Sequence, residues 1–271
     1  PIYTPGKLTL AKAFTQQSYM WDSPAAHGLW SPANITTALW LDAADASTVT
    51  APGGVVEQWN DKSGNGRNVT QATSANRPTV ANAVLNGKNV IRFDGINDKL
   101  ATASALYTTA SLGIYAVTAN RNSSGESGWA GQYIQDNAGR TLIYQNGISV
   151  RAAAIFTGSN GADFLATPNT SFHLFGYHVN AGNAEVFYEA VSRNTASNLD
   201  NEIANTPFAL GDMSNGTVTI VAALDAAEVV CLPAPASTNT RQKLEGYLAH
   251  KWGLAANLPS GHPYKTFGPT P

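Results

Sequence analysis

Charge is scarce in this chain. Asp, Glu, Lys and Arg make up 13% of its 271 residues, about half of the roughly 25% usual for soluble domains. The net charge is -2, and no run of Lys or Arg occurs. A nucleic-acid binder needs a basic stripe to displace counterions from phosphates, so nucleic acid is not expected as a partner. Long apolar runs are missing too: none approaches the about 20 residues of a membrane helix, and no membrane partner is expected. Cysteine is limited to Cys231, which rules out an intrachain disulfide framework. At the apolar strand end EVVCLP it reads as a small buried hydrophobe. The opening stretch PIYTPGKLTLAKAF lacks the continuous apolar core of an export signal, so a product made in the cytoplasm is expected.

Signatures of nucleophilic and phosphate chemistry are equally absent. There is no G-x-S-x-G elbow, and no glycine loop opens a helix with Lys-Ser/Thr. His173 and His178 lie five apart on an expected strand and so face opposite sides, which excludes a zinc pair. Glu245 and His250 are five apart on an expected helix, about 140° around its axis, and do not form a dyad.

What fills the chain instead is Asn, Thr, Ser, Ala and Gly, arranged as short strands between turn residues. Residues 1–34, with Pro5, Pro24 and Pro32 and the aromatic Trp21 and Trp30, read as a leader outside this pattern. From Ala38 onward, strands are expected at Ala38–Asp42, Val55–Asn60, Asn89–Asp94, Ser111–Asn120, Trp129–Gln135 and Thr141–Gln145. More follow at Ser149–Phe156, Ser171–Asn180, Asn183–Val191, Thr217–Leu224 and Ala227–Leu232. In Asn89–Asp94, Val90, Arg92 and Asp94 share one face while Asn89, Ile91 and Phe93 share the other. VNAGNAEV (Val179–Val186) and YQNGISV (Tyr144–Val150) read as hairpins with Asn-Gly or Gly-Asn supplying positive φ. Many short strands at this spacing predict an all-β antiparallel sandwich over residues 35–271.

One helix interrupts the strands, from near Asn239 to Trp252. Asn239 and Gln242 form a potential capping box. Leu244, Tyr247, Leu248 and Trp252 share a face. Gly253 is the expected left-handed stop with Leu254 folding back, and Gly246 lets the helix approach another element closely. Trp40, Trp59 and Trp252 belong to periodic apolar motifs and are assigned to the core.

Five motifs occur in order: LWLDAADAST (Leu39–Thr48), GGVVEQWNDKSGNGRNVTQ (Gly53–Gln71), RPTV (Arg77–Val80), LNGKNVIRFDGINDKL (Leu85–Leu100) and RQKLEGYLAHKWGLAANLPSGHPYK (Arg241–Lys265). Together, over Ala38–Phe267, they resemble bacterial and phage domains with a laminin-G-like, concanavalin-type jelly roll. The resemblance implies a jelly-roll sandwich with one C-terminal amphipathic helix and an N-terminal arm. It says less of function, because this sandwich serves lectins, glycanases and adhesion modules alike. Laminarinase-like relatives carry their paired acids as E-x-D-x-x-E. That pattern is absent here: Glu57 and Asp61 are separated by a turn, and Glu185 and Glu189 share a strand face without the intervening Asp. No catalytic residue is assigned.

Two site readings remain open at this level. In QWNDKSGNGRN, Asp61, Ser63 and Asn65 are spaced like the opening of a calcium loop, followed by Gly66. The twelfth position is Ala72, not a bidentate Glu, and a strand precedes the loop, so an EF-hand is excluded. A calcium site completed by a second loop and a purely structural turn both fit; no cofactor is required. Asp94 and Asp98 pose the same choice. In SGWAGQYIQDNAGRTLIYQN, Trp129, Tyr133 and Gln135 share a strand face with Tyr144 nearby, which suits either a shallow glycan platform or a core or subunit contact.

The resemblance, with the arm added, implies a non-enzymatic virion protein of a phage or phage-like particle. Such a decoration, tail or fibre component would attach to other virion proteins through Trp21 and Trp30, contact host-surface glycan and self-associate as a homo-oligomer. The alternative is a secreted or cell-surface bacterial carbohydrate-binding module and, after that, a glycan hydrolase.

Overall fold

The computed structural model describes residues 29–121, 127–132, 140–146, 149–155, 163–164, 170–198, 205–212 and 221–271. The strands in chain order are β1 (Leu39–Asp42), β2 (Val49–Thr50), β3 (Gln58–Trp59), β4 (Val69–Thr70), β5 (Thr79–Leu85), β6 (Lys88–Asp94), β7 (Leu100–Ala101) and β8 (Ser111–Asn120). They continue with β9 (Ser127–Gln132), β10 (Arg140–Asn146), β11 (Ser149–Ile155), β12 (Asp163–Phe164), β13 (His173–Asn180) and β14 (Asn183–Tyr188). The last are β15 (Val191–Ala196), β16 (Ala209–Leu210) and β17 (Ala223–Leu232), followed by helix α1 (Thr238–Lys251).

They form two antiparallel sheets. The first runs β15-β14-β13-β8-β17-β6-β5, with β1 also paired to β17. The second runs β12-β11-β10-β9-β16-β7-β4-β3-β2. This is the all-β sandwich with one C-terminal helix that the strand pattern predicts. Among the described residues no helix is long and apolar enough to cross a membrane.

Each face of the first sheet has its own core. Ile91 and Phe93 of β6, Leu112 and Ile114 of β8 and Tyr177 and Val179 of β13 pack in the cluster that also holds Trp59, Leu100 and Trp129 of the second sheet. Val90, Tyr115, Val117 and Leu174 turn the other way and pack with Leu244, Tyr247, Leu248 and Trp252 of α1. The alternation read along Asn89–Asp94 therefore holds, because a strand covered on both faces must be apolar on both.

β17 carries a break in that alternation. Its register with β8 shifts between Ala226 and Glu228. Leu224 and Ala226 face the inter-sheet core before the shift, Val229 and Cys231 after it. Ala227 and Val230 face the helix. A β-bulge places one extra residue on a strand and re-aims its side chains, and here it delivers Glu228 to the helix side. What the sequence suggests as two strands, Thr217–Leu224 and Ala227–Leu232, is one strand from Ala223, bent at this bulge; residues 217–220 lie outside the described residues. β5 and β15, and the two-residue strands β2, β4, β7, β12 and β16, are not among the strands expected from the sequence.

The helix starts earlier than its sequence suggests. Ser237, not Asn239, is the N-cap, its hydroxyl accepting from the Thr240 N–H at 3.2 Å. The C-terminus closes as expected. Gly253 has φ 76°, its N–H donates to His250 O at 3.3 Å, and the Leu254 N–H donates to Ala249 O at 2.7 Å. These are the two bonds of a Schellman motif. Gly246 does permit a close approach: a Cβ there would lie 2.5 Å from the Tyr264 Cβ.

A buried charge network fixes α1 on the sheet. Asp42 and Glu228 are direct cross-strand partners. The Lys251 ammonium lies between them, 2.6 Å from Asp42 Oδ1 and 2.7 Å from Glu228 Oε2. Glu228 also accepts from Trp40 Nε1 (2.7 Å), Trp252 Nε1 (2.7 Å) and the Tyr247 hydroxyl (3.0 Å). Lys62 closes the outer end on Asp42 at 2.9 Å and Asp45 at 2.8 Å. Burial pushes the Glu228 carboxyl above its ordinary range, with Lys251 pulling the other way. Asp42 is desolvated too, but Lys251 and Lys62 outweigh this and hold it below the ordinary range. Removing one member strands the others without compensation. Lys251→Met is expected to cost about 3–5 kcal/mol in urea unfolding; a loss below about 1 kcal/mol would show that the network does not hold the helix.

Candidate functional site

The Asp61 loop is stitched by hydrogen bonds. Asp61 Oδ1 accepts from the backbone N–H of Trp40 and of Ser63, both at 2.9 Å. Oδ2 accepts from the Ser63 hydroxyl at 2.7 Å and the Arg67 N–H at 3.0 Å. Asn65 Nδ2 donates to Thr37 O and Ala38 O, while Gly64 and Gly66 take φ values of 85° and 68°. Asp61, Ser63 and Asn65 thus tie the corner to the start of β1, and the Asp61 oxygens point at donors, the arrangement of a structural turn. Asp94 does the same for its own loop, accepting from the N–H groups of Ile96 and Asn97. Asp98 Oδ2 accepts the Asp94 N–H at 2.8 Å. Among the described residues no three His, Cys, Asp or Glu side chains cluster so as to hold a metal ion.

The aromatic residues singled out in the sequence divide. Trp129 is 2% exposed and meets Phe175 edge-on at 4.8 Å between the sheets. The strand face it shares is turned inward there, so Trp129 is a core residue and not part of a sugar platform. Tyr144 lies on β10 opposite Arg151; Tyr133 and Gln135 lie outside the described residues. Trp30 is buried against α1, edge-on to Tyr247 at 6.3 Å, with its N–H donating to Pro269 O at 3.2 Å. It is engaged by its own domain, and Trp21 lies outside the described residues.

The acid pair on β14 also separates. The strand ends at Tyr188, and Glu189 enters a turn with φ 49°. Glu189 Oε1 sits 2.7 Å from His173 Nδ1 and accepts from Asn257 Nδ2 at 3.2 Å. Glu185 stays on β14 and makes no hydrogen bond or ion pair among the described residues. As their parity requires, His173 and His178 lie on opposite faces: His173 stacks with Tyr188 and Phe175, His178 with Tyr115 and Phe187. Glu245 and His250 are likewise separate. Glu245 binds Arg241 at 2.7 Å and His262 at 3.2 Å, and His250 Nε2 meets Tyr264 O at 2.8 Å.

Among the described residues a cleft of about 390 Å³ lies at the end of the first sheet. It opens where the β13–β14 hairpin, the end of β15 and the loop before α1 meet. The hairpin turns on Ala181 and Gly182, both at positive φ (45° and 83°), so the Asn residues flank the turn rather than form it. The polar lining is His178, Asn180, Asn183, Glu185, Thr195 and Ser197; the apolar lining is Ala184, Ala196 and Pro235. Register assembles it: His178 opposes Glu185, and Glu185 opposes Thr195. Sequence reasoning weighed His178 and Glu185 separately and found no use for either. The missing signal was the hairpin register, which a two-residue turn at 181–182 fixes.

His178 is held neutral. Burial, helped by the Arg241 guanidinium, lowers its pKa from 6.5 to about 4. Its Nε2 faces the Tyr115 hydroxyl and the Ala236 N–H. Arg241 itself lies 4.5 Å from the centroid of the Phe187 ring and is spent on Glu245. A histidine with a depressed folded pKa contributes stability that is complete above its unfolded pKa and lost as pH falls toward the folded one. Between pH 6.5 and about 4 the stability advantage of the native protein over His178→Gln is expected to shrink by on the order of 3 kcal/mol. Urea unfolding of both proteins across that range checks this; parallel curves would refute it.

The sequence matches no family model and no curated protein. The fold does match solved structures. A Trypanosoma rangeli sialidase in complex with sialic acid aligns at 13% identity and TM-score 0.57, over 90% of this chain and 39% of that one. Domain 4 of AbnA, a GH43 extracellular arabinanase from Geobacillus stearothermophilus in complex with arabinotriose, aligns at 11% and 0.52, over 76% of this chain and 96% of the domain. A GH54 α-L-arabinofuranosidase aligns at 15% and 0.55, over 82% of this chain and 60% of that one. The chain therefore spans about two fifths of the sialidase and nearly all of the arabinanase domain. At these identities the likeness is one of fold, a β-sandwich that recurs in carbohydrate-binding and glycosidase proteins.

Proposed function

We propose that this chain is a non-catalytic carbohydrate-binding module whose ligand enters the cleft at His178. The observation that carries the reading is the cleft's chemistry. Its volume lies at the small end of the roughly 300–1,000 Å³ typical of ligand sites, and amide, hydroxyl, imidazole and carboxylate groups converge on it. Sugar rings need such alternating donors and acceptors, with an apolar surface for their C–H faces; Pro235 supplies that surface. The fold-level neighbours support the reading, since one of them is a domain solved with arabinotriose.

Binding is favoured over hydrolysis by the acid count. Glycosidases set two carboxyls about 5–9.5 Å apart across the scissile bond, and Glu185 is the single carboxylate among the described lining residues. On an immobilised glycan panel the protein is expected to retain at least one class of glycan and to release no reducing ends on prolonged incubation. Retention of none would end the binding reading, and release abolished by Glu185→Gln would make the protein a hydrolase.

For its setting we propose a virion component attached through the N-terminal arm, a reading that rests on the sequence resemblance alone. Because Trp30 packs on α1, the informative deletion is residues 1–28 and not 1–34. The shortened protein should fold, with an unchanged thermal midpoint, and fail to join particles; normal incorporation would refute the anchor.

A further inference from the structure

We propose that the cleft selects neutral sugars over acidic ones, with His178 Nδ1–H as the donor and Glu185 as the acceptor for adjacent hydroxyls. This rests on the carbohydrate-binding reading above and deepens it.

The tautomer follows from the partners of the ring. The Ala236 N–H donates to His178 Nε2 at 3.4 Å, and a backbone N–H has nothing to accept, so Nε2 carries the lone pair. In the neutral imidazole the hydrogen then sits on Nδ1. The ring's orientation follows from Gly113, its partner on β8: a Cβ there would lie 3.3 Å from His178 Cδ2. The Cδ2 edge faces β8, so the Nδ1 edge faces the other way, toward β14 and Glu185. Glu185 is half-buried and lines the same cleft.

A fixed donor beside a carboxylate with no partner among the described residues is complementary to two neighbouring hydroxyls, one accepting from Nδ1–H and the other donating to the carboxylate. Asn180, Thr195 and Ser197 are placed for the rest of the ring. The selectivity comes from charge. Glu185 is the charged group among the described lining residues, and no Lys or Arg lines the cleft with it. The nearby cation, Arg241, is bound to Glu245 through both carboxylate oxygens, at 2.7 and 2.9 Å. A sialic or uronic acid would bring a second anion to Glu185 with nothing to neutralise it, and like charges in a partly desolvated site repel.

The test measures binding by calorimetry to two matched sets of oligosaccharides: neutral ones of arabinose, galactose and glucose, and counterparts carrying sialic or uronic acid. The native protein is expected to bind a neutral member at least about tenfold more tightly than its acidic counterpart. Glu185→Gln should weaken the neutral ligand by about tenfold or more and narrow the gap to the acidic one. Thr195→Trp, at an exposed position on the rim, should abolish binding by filling the cleft. Ser197→Trp is a second blocking variant should the first fail to fold. Tighter binding of acidic sugars overturns the inference and leaves the carbohydrate-binding reading intact, whereas neutral binding that survives both blocking variants overturns the inference and the cleft as the binding site together. No binding in either set overturns both.

Discussion

A single ammonium between two carboxylates organises this structure. Asp42 and Glu228 stand directly opposite one another on β1 and β17, a placement that would repel in isolation. Lys251, from the last turn of α1, enters between them. Two Trp indoles and a Tyr hydroxyl complete the shell of Glu228. Buried ion pairs are poor sources of net stability, because desolvation offsets their attraction. What this one supplies is position: the helix can seat only where Lys251 reaches both acids and Trp252 reaches Glu228. Leu244, Tyr247 and Leu248, at 0–1% exposure, supply the apolar adhesion, and the network decides the register in which that adhesion is made.

The position of the helix sets what the outer face of the first sheet can do. Over β1, β17 and β8 that face is covered by α1 and Trp30. Toward the β13–β14 turn and the end of β15 the cover ends, and the loop that carries Pro235 into Ser237 becomes one wall of the cleft. The same helix places Arg241 against the Phe187 ring and near His178. Burial and this cation together keep the imidazole neutral. The core network and the cleft are therefore joined through one rigid element: the C-terminal turn of α1 anchors it, and its N-terminal turn shapes the site.

Much of the sandwich was legible in the residues. Ser111–Asn120 is found as a strand with the bounds its pattern suggests. Leu244, Tyr247, Leu248 and Trp252 are the buried helical face, and Gly253 is its stop. These features are local, set by period and by the conformational freedom of glycine. The reading faltered where chain neighbours were not spatial neighbours. Thr217–Leu224 and Ala227–Leu232 looked like two strands because the bulge reverses the alternation at Glu228. Trp129 stayed open between a sugar platform and the core, because alternation gives the two faces of a strand without saying which is covered; the structure puts it in the core. Glu185 and Glu189 looked like a pair because the positive φ at Glu189 leaves no trace in composition.

The sequence by itself determined the class of fold, the core aromatics and the corners, since periodicity, glycine placement and Asn/Asp turn chemistry act over a few residues. It also determined that the chain is weakly charged and has no disulfide framework, which composition alone decides. Only the tertiary structure decided that Lys251 serves Asp42 and Glu228, residues 209 and 23 positions away. It alone also brought His178, Glu185 and Pro235 to one cleft. Both arrangements depend on strand register and helix seating, which are settled when distant segments pack together. No short-range pattern encodes which partner a buried charge will meet.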